Sequence, residues 1–191
     1  MASYEAIPSR RRAIFLDRDG VLNAAIIRDG RPFPPVSLAE MRLLPGVEEA
    51  CAELKSSGFL LIVITNQPDI ARGKNSAREV DKINAALKAR LAVDEICVCP
   101  HDDADACECR KPKPGLLIAA AQRWNIDLAS SFMVGDRWRD IEAGHAAGCR
   151  TVFIDYGYSE RRPDGPDTVT GSLFAAVPNL TAASRKEVYE R

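Results

Sequence analysis

Asp17 and Asp19 stand two positions apart in Asp17-Arg18-Asp19-Gly20, at the end of the short apolar run 13–17. In extended chain, side chains two apart lie on one face. That spacing suits a nucleophile and an acid attending one phosphorus. A carboxylate attacking a phosphate ester meets like-charge repulsion, which Mg²⁺ relieves because it prefers oxygen ligands and keeps some of its water. Asp17 and Asp136 are the candidate carboxylate ligands, and Asp19 offers its backbone carbonyl as a third.

The transition state spreads charge over the phosphoryl oxygens, so donors and cations must surround it. Thr65 carries a hydroxyl, Lys111 a compact positive charge, and Arg110, Asn66 and Gln67 add further donors. Asp19 would protonate the departing alkoxide and then activate the water that cleaves the acyl phosphate. Gly20 would let the backbone approach the phosphate.

A second cluster has different chemistry. Cys99, His101, Cys107 and Cys109 form the pattern C-x-H-x5-C-x-C. Three thiolates and an imidazole match a closed structural Zn²⁺ site, with no position left for water or substrate. Cys97 competes with Cys99 for the metal, but its place inside a strand favours Cys99. Cys51 and Cys149 are isolated and read as core residues. The zinc loop, 97–110, would set Arg110 and Lys111 directly after a ligand. His145, on a helix, reads as a partly exposed side chain.

Elements that could position these groups alternate along the chain. Strands are predicted over 13–17, 59–65, 96–99, 132–135 and 151–155, with a late one near Thr168. Helices are predicted over 46–57, 76–91, 114–124 and 138–147, with a short one at the C-terminus. Such alternation argues for an α/β, doubly wound, Rossmann-like parallel sheet, whose ligands bind outside the carboxyl ends of the strands. The candidates collect at that edge. Polar strand ends account for any one of them but poorly for the set. The stretch 23–45 reads as irregular and too short for a cap domain, so one domain over 1–191 is expected.

The 191 residues include 26 basic and 27 acidic side chains, for a net charge of −1. No broad basic face is implied, so nucleic acid and acidic membrane are poor partners. Apolar runs such as 59–64 fall far below the roughly 20 residues of a membrane span. The N-terminal stretch lacks the features of a secretory leader. A cytoplasmic monomer acting on a small soluble phosphate ester is expected.

The runs FLDRDGVLN, TNQ, CRKPKPG and VGDRWRD, in this order, resemble the four motifs of the haloacid dehalogenase-like (HAD) phosphatases. The resemblance implies Asp17 as nucleophile, Asp19 as acid/base, Thr65 and Lys111 as phosphate contacts, and Asp136 as a Mg²⁺ ligand. The capless, zinc-bearing members resemble two activities, heptose-1,7-bisphosphate 7-phosphatase and histidinol-phosphate phosphatase. TNQPDIARGK resembles the former. Pro68-Asp69, the five-residue gap after His101, and Arg137 in place of a lysine depart from it.

A bisphosphate needs a grip on the phosphate that stays, and Arg110 and Arg137 are the candidates, with Arg28 and Arg72 behind them. Histidinol would instead want acidic company, which Asp102, Asp103 and Asp105 offer. A phosphosugar-binding protein without turnover, or a zinc-centred interaction module, fits the intact set Asp17, Asp19, Lys111 and Asp136 less well.

Overall fold

The computed structural model describes residues 10–189, and the N-terminal stretch on which the leader reading bears lies mostly outside them. Strand β1 (Ala13–Leu16) is fully buried. It pairs in parallel with β4 (Leu60–Asn66) on one side and β6 (Phe132–Gly135) on the other. The sheet extends through β5 (Glu95–Cys99) at one edge and through β7 (Arg150–Ile154) to β8 (Thr168–Thr170) at the other. All six strands are parallel, in the order β5-β4-β1-β6-β7-β8.

β-strand side chains alternate between the two faces, and the core divides accordingly. Ile14, Leu16, Leu61 and Val63 pack against α1 (Val47–Ser56), α2 (Ala77–Arg90) and α5 (Leu173–Tyr189). Ala13, Phe15, Leu60, Ile62 and Ile64 pack on the opposite side against α3 (Gly115–Trp124) and α4 (Trp138–Ala147). Burial on both faces explains why β4 reads LLIVITN with no alternation. Ser76 caps α2 by accepting from Glu79 N–H at 3.2 Å. None of the described helices is long and apolar enough to cross a membrane.

Two segments differ from the sequence expectation. The stretch read as irregular holds an antiparallel hairpin, β2 (Ile26–Arg28) and β3 (Arg31–Phe33). Its turn is Asp29-Gly30, at φ 50° and 71°. An Asp-Gly pair between short strands is a hairpin signal, here masked by the prolines that follow. The C-terminal helix is not short: α5 runs 17 residues, with Pro178 inside it.

Candidate active site

β1, β4 and β6 end side by side, and each delivers acids or donors to one cleft. Asp17 follows β1, Thr65 and Asn66 close β4, and Asp136 follows β6. Lys111 comes from the loop before α3 and is 2% exposed. Its ammonium donates to Asp17 Oδ1 at 2.8 Å, to Asp140 Oδ1 at 2.6 Å and to the Ile64 carbonyl at 2.7 Å. Asn66 clamps the Lys111 backbone, accepting from its N–H at 3.1 Å and donating to its carbonyl at 3.0 Å.

Asp19 is held from three sides. Arg18, fully buried, donates from Nη2 at 3.0 Å; Asn23 donates at 2.9 Å and Gln67 at 2.8 Å. The same Gln67 amide donates to Thr65 Oγ1 at 2.8 Å. Gln67 therefore ties the acid/base candidate to the hydroxyl of Thr65, the candidate phosphate contact.

Burial pushes the Asp17 pKa up to about 6; the Lys111 charge lowers it, and Asp140 and Asp19 raise it. Asp136 is driven well above the ordinary carboxylate range by burial and by the charges of Asp17 and Asp140. Tyr158 works in the opposite direction but falls short of a well-formed hydrogen bond. Both Asp136 oxygens are thus buried without a partner among the described residues. For Lys111, burial favours loss of the proton, but Asp140 and Asp17 outweigh it and the net shift is upward.

An orphaned Asp136, buried beside two further carboxylates that repel it, is what a divalent cation would satisfy. Oxygens of Asp17, Asp136 and Asp140 lie within 4.8 Å of one another, all buried, a hard-oxygen set suited to Mg²⁺. Asp140 spends its oxygens on Lys111 and on the Arg137 N–H at 3.0 Å, which leaves Asp17 and Asp136 as the free donors. The Asp19 carboxylate stands outside this set.

Above the cleft opens a bowl of about 250 Å³. Five arginines line it, Arg31, Arg72, Arg110, Arg137 and Arg139, against three acids, Asp69, Asp103 and Glu160. Pro32, Phe33 and Pro34 from the hairpin wall both the bowl and the cleft. Arg137 pairs with Glu160. Arg28 lies over the Phe33 ring at 5.6 Å and lines neither space.

The acidic run is already engaged. Asp102 accepts from Arg72 Nε at 2.7 Å, Asp103 from Arg110 Nε at 2.8 Å, and Asp105 from the Asp102 N–H at 2.7 Å.

Cys99, His101, Cys107 and Cys109 converge as their spacing suggested. Their sulfurs lie 3.1–3.7 Å apart, and His101 Nδ1 is 3.3 Å from Cys109 Sγ. A tetrahedral ion with Zn–S near 2.3 Å spaces its sulfurs by about 3.8 Å, so the cage is close to that size. Cys97 is buried and receives Arg123 Nη2 at 3.3 Å, outside the cage. Cys51 and Cys149 are buried in the core. His145 is 40% exposed and hydrogen-bonds to Thr151 Oγ1 at 3.0 Å.

Sequence reasoning did not single out Arg18, Asn23, Arg31, Arg139 or Tyr158. Arg139 had a signal, since VGDRWRD places it one residue before Asp140 in the first turn of α4. Arg31 became visible only once the hairpin formed. At Gly20, a β-carbon would lie 1.9 Å from Asp136 Oδ2, so glycine there also leaves room for that carboxylate.

This floor of acids around a buried lysine, at the carboxyl edge of a parallel sheet, defines a HAD-type phosphoryl-transfer site. A HAD-hydrolase-like family model matches residues 108–176. A D-glycero-β-D-manno-heptose-1,7-bisphosphate 7-phosphatase of Pseudomonas putida is 37% identical over 158 residues, covering 78% of this chain and 86% of that protein. The enzyme of the same name from Vibrio cholerae is 39% identical over 179 residues, covering 86% and 89%. A crystal structure of D,D-heptose 1,7-bisphosphate phosphatase from B. bronchiseptica, complexed with magnesium and phosphate, superimposes with a TM-score of 0.74 at 32% identity. That match covers 94% of this chain and 99% of the other. The chain belongs to the HAD-like hydrolases, in the branch that contains these sugar-bisphosphate phosphatases.

Proposed function

We propose that this chain is a Mg²⁺-dependent phosphatase that removes the 7-phosphate of D-glycero-D-manno-heptose 1,7-bisphosphate through an aspartyl phosphate on Asp17. The observation that carries the reading is the joining of two spaces: a lysine-and-acid floor for the reacting phosphate, and an arginine-lined bowl for the rest of a doubly phosphorylated sugar. Similarity to heptose-bisphosphate phosphatases over most of the chain supports the substrate.

Asp17 attacks phosphorus with the oxygen not engaged by Lys111. Lys111 and the Thr65 hydroxyl face the equatorial oxygens, where charge accumulates. Asp19, steadied by Arg18, Asn23 and Gln67, gives its proton to the leaving 7-oxygen. It then takes a proton from water, whose oxygen attacks phosphorus and frees Asp17. Mg²⁺ held by Asp17, Asp136 and the Asp19 carbonyl supplies the neutralising charge.

Zn²⁺ in the Cys99, His101, Cys107, Cys109 cage has a mechanical role, folding the loop that carries Arg110 and Lys111. All of this rests on one domain, acting as a monomer on a soluble sugar phosphate in the cytoplasm.

Histidinol phosphate carries a cationic amine, which a bowl of five arginines against three acids disfavours. Phosphate release from the heptose bisphosphate and from histidinol phosphate, with Asp17→Asn alongside, tests the reading. A preference of at least about tenfold for the heptose (roughly 1.4 kcal/mol) and an inert variant are expected. Preference for histidinol phosphate, or an active variant, refutes it.

A further inference from the structure

We infer that Arg110 and Arg139 together form the seat of the phosphate that the substrate keeps, and that Asp103 is an internal anion which this phosphate displaces. The inference rests on the bisphosphate reading above, and it concerns how the second anion is held.

Two guanidinium groups reach one carboxylate oxygen from different elements. Arg110 Nε donates to Asp103 Oδ1 at 2.8 Å, and Arg139 Nη1 approaches the same oxygen at 3.4 Å. Neither arginine is free to wander. Arg110 directly follows Cys109 and also donates from Nη1 to the His101 carbonyl at 3.3 Å, so the loop of the cage braces it. Arg139 stacks on the Trp138 ring at 4.6 Å in the first turn of α4. The side chains of Arg110 and Arg139 are 11% and 25% exposed, whereas Asp103 is 58% exposed. The cations are fixed and largely sheltered, and the anion between them stands half in water.

That asymmetry makes Asp103 the replaceable partner. An exposed carboxylate regains hydration when it swings away, and exposed ion pairs contribute little, about 0–1 kcal/mol. A phosphate monoester brings close to two negative charges and three acceptor oxygens, enough to satisfy both forks at once. The bowl carries five arginines against three acids, an excess that one phosphate dianion neutralises. Arg139 also lines the Asp17 cleft, so the seat adjoins the reacting centre. A sugar with its reacting phosphorus at Asp17 can therefore reach the seat with its second phosphate. Asp103 keeps the seat closed to monoanions and yields to a dianion.

The test compares a bisphosphate with its monophosphate in the zinc- and magnesium-loaded enzyme. KM is measured for heptose 1,7-bisphosphate and heptose 7-phosphate in the parent, Arg139→Gln, Arg139→Lys and Asp103→Asn. Arg139→Gln is expected to raise KM for the bisphosphate about tenfold more than for the monophosphate, the loss of one charge-assisted contact. Arg139→Lys recovers part of that loss.

Asp103→Asn is expected to lower KM for the bisphosphate about threefold, as a weak competing ion pair is removed. A higher KM in Asp103→Asn means that Asp103 only braces the arginines, and equal losses on both substrates in Arg139→Gln mean that no second-phosphate seat exists there. Either result overturns the inference. Fructose 1,6-bisphosphate and fructose 6-phosphate, used as competitive inhibitors of p-nitrophenyl phosphate hydrolysis, read the same seat independently of the heptose. If the heptose is not turned over but Arg139→Gln still selectively weakens fructose 1,6-bisphosphate, the substrate reading fails and the seat stands.

Discussion

Gly20 lies so close to Asp136 that a β-carbon at position 20 would sit 1.9 Å from Asp136 Oδ2. The backbone there is at φ +97°, a conformation L side chains rarely adopt. Both facts serve one end, since the loop after Asp19 must fold tightly against the carboxylate that is expected to hold Mg²⁺. Gly20→Ala should force Asp136 aside and strain the turn. The expected result is a magnesium requirement raised more than about tenfold, equivalent to 1.4 kcal/mol or more of lost binding. A magnesium titration of activity checks it, and an unchanged half-saturation point contradicts the assignment of Asp136.

Asp17 and Asp136 set a second expectation, about pH. Both pKa values are raised in the folded chain, Asp17 from 3.8 to about 6, so the metal-free fold holds protons that the unfolded chain has released. The stability contributed by protonating Asp17 is complete below about pH 4 and is lost as pH rises through 6, at a cost of about 3 kcal/mol. Mg²⁺ held by these carboxylates is expected to take over the protons' role above that window. Its addition should raise Tm by roughly 5–10 °C at pH 7.5 and by much less at pH 4.5. Equal shifts at both pH values would argue that Mg²⁺ does not bind these carboxylates.

Much of the floor was legible because Asp17, Thr65 and Asp136 sit at strand ends, and strand ends in a parallel sheet share one edge. Asp17, Thr65 and Asp136 needed only that rule. The rim was not legible in the same way. Arg31 depends on the Asp29-Gly30 turn, and Arg139 meets Arg110 only across 29 residues of sequence. The acidic run shows why composition misleads here, since Asp102, Asp103 and Asp105 read as an amine site until their arginine and backbone partners are seen. Long-range pairing of exposed charges leaves no periodic trace in a sequence.

Gln67 offers a test of positioning. It is 2% exposed, and its amide bridges Asp19 and Thr65. Gln67→Leu keeps the bulk and removes both bonds, leaving Asp19 short of a donor. Such a change should lower kcat by about 10- to 100-fold, the 1.4–2.7 kcal/mol scale of hydrogen bonds to charged groups. KM should move less. A structural role alone would lower Tm and leave kcat unchanged well below the melting point.

The cage of Cys99, His101, Cys107 and Cys109 yields the last expectation. Its loop runs straight into Arg110 and Lys111, and Gly115, at the start of α3, packs so closely on it that a β-carbon would meet the Glu108 carbonyl at 2.3 Å. Losing the ion should therefore loosen both the fold and the placement of Lys111. The purified protein should contain one zinc per chain by elemental analysis. Cys109→Ser should lose the metal and several kcal/mol of stability, lowering Tm by about 10 °C. Its kcat should fall even well below the melting point, because Lys111 Nζ must keep its 2.8 Å contact with Asp17. A Cys109→Ser protein that melts like the parent and turns over substrate at the same rate would mean that the cage does not hold the lysine in place.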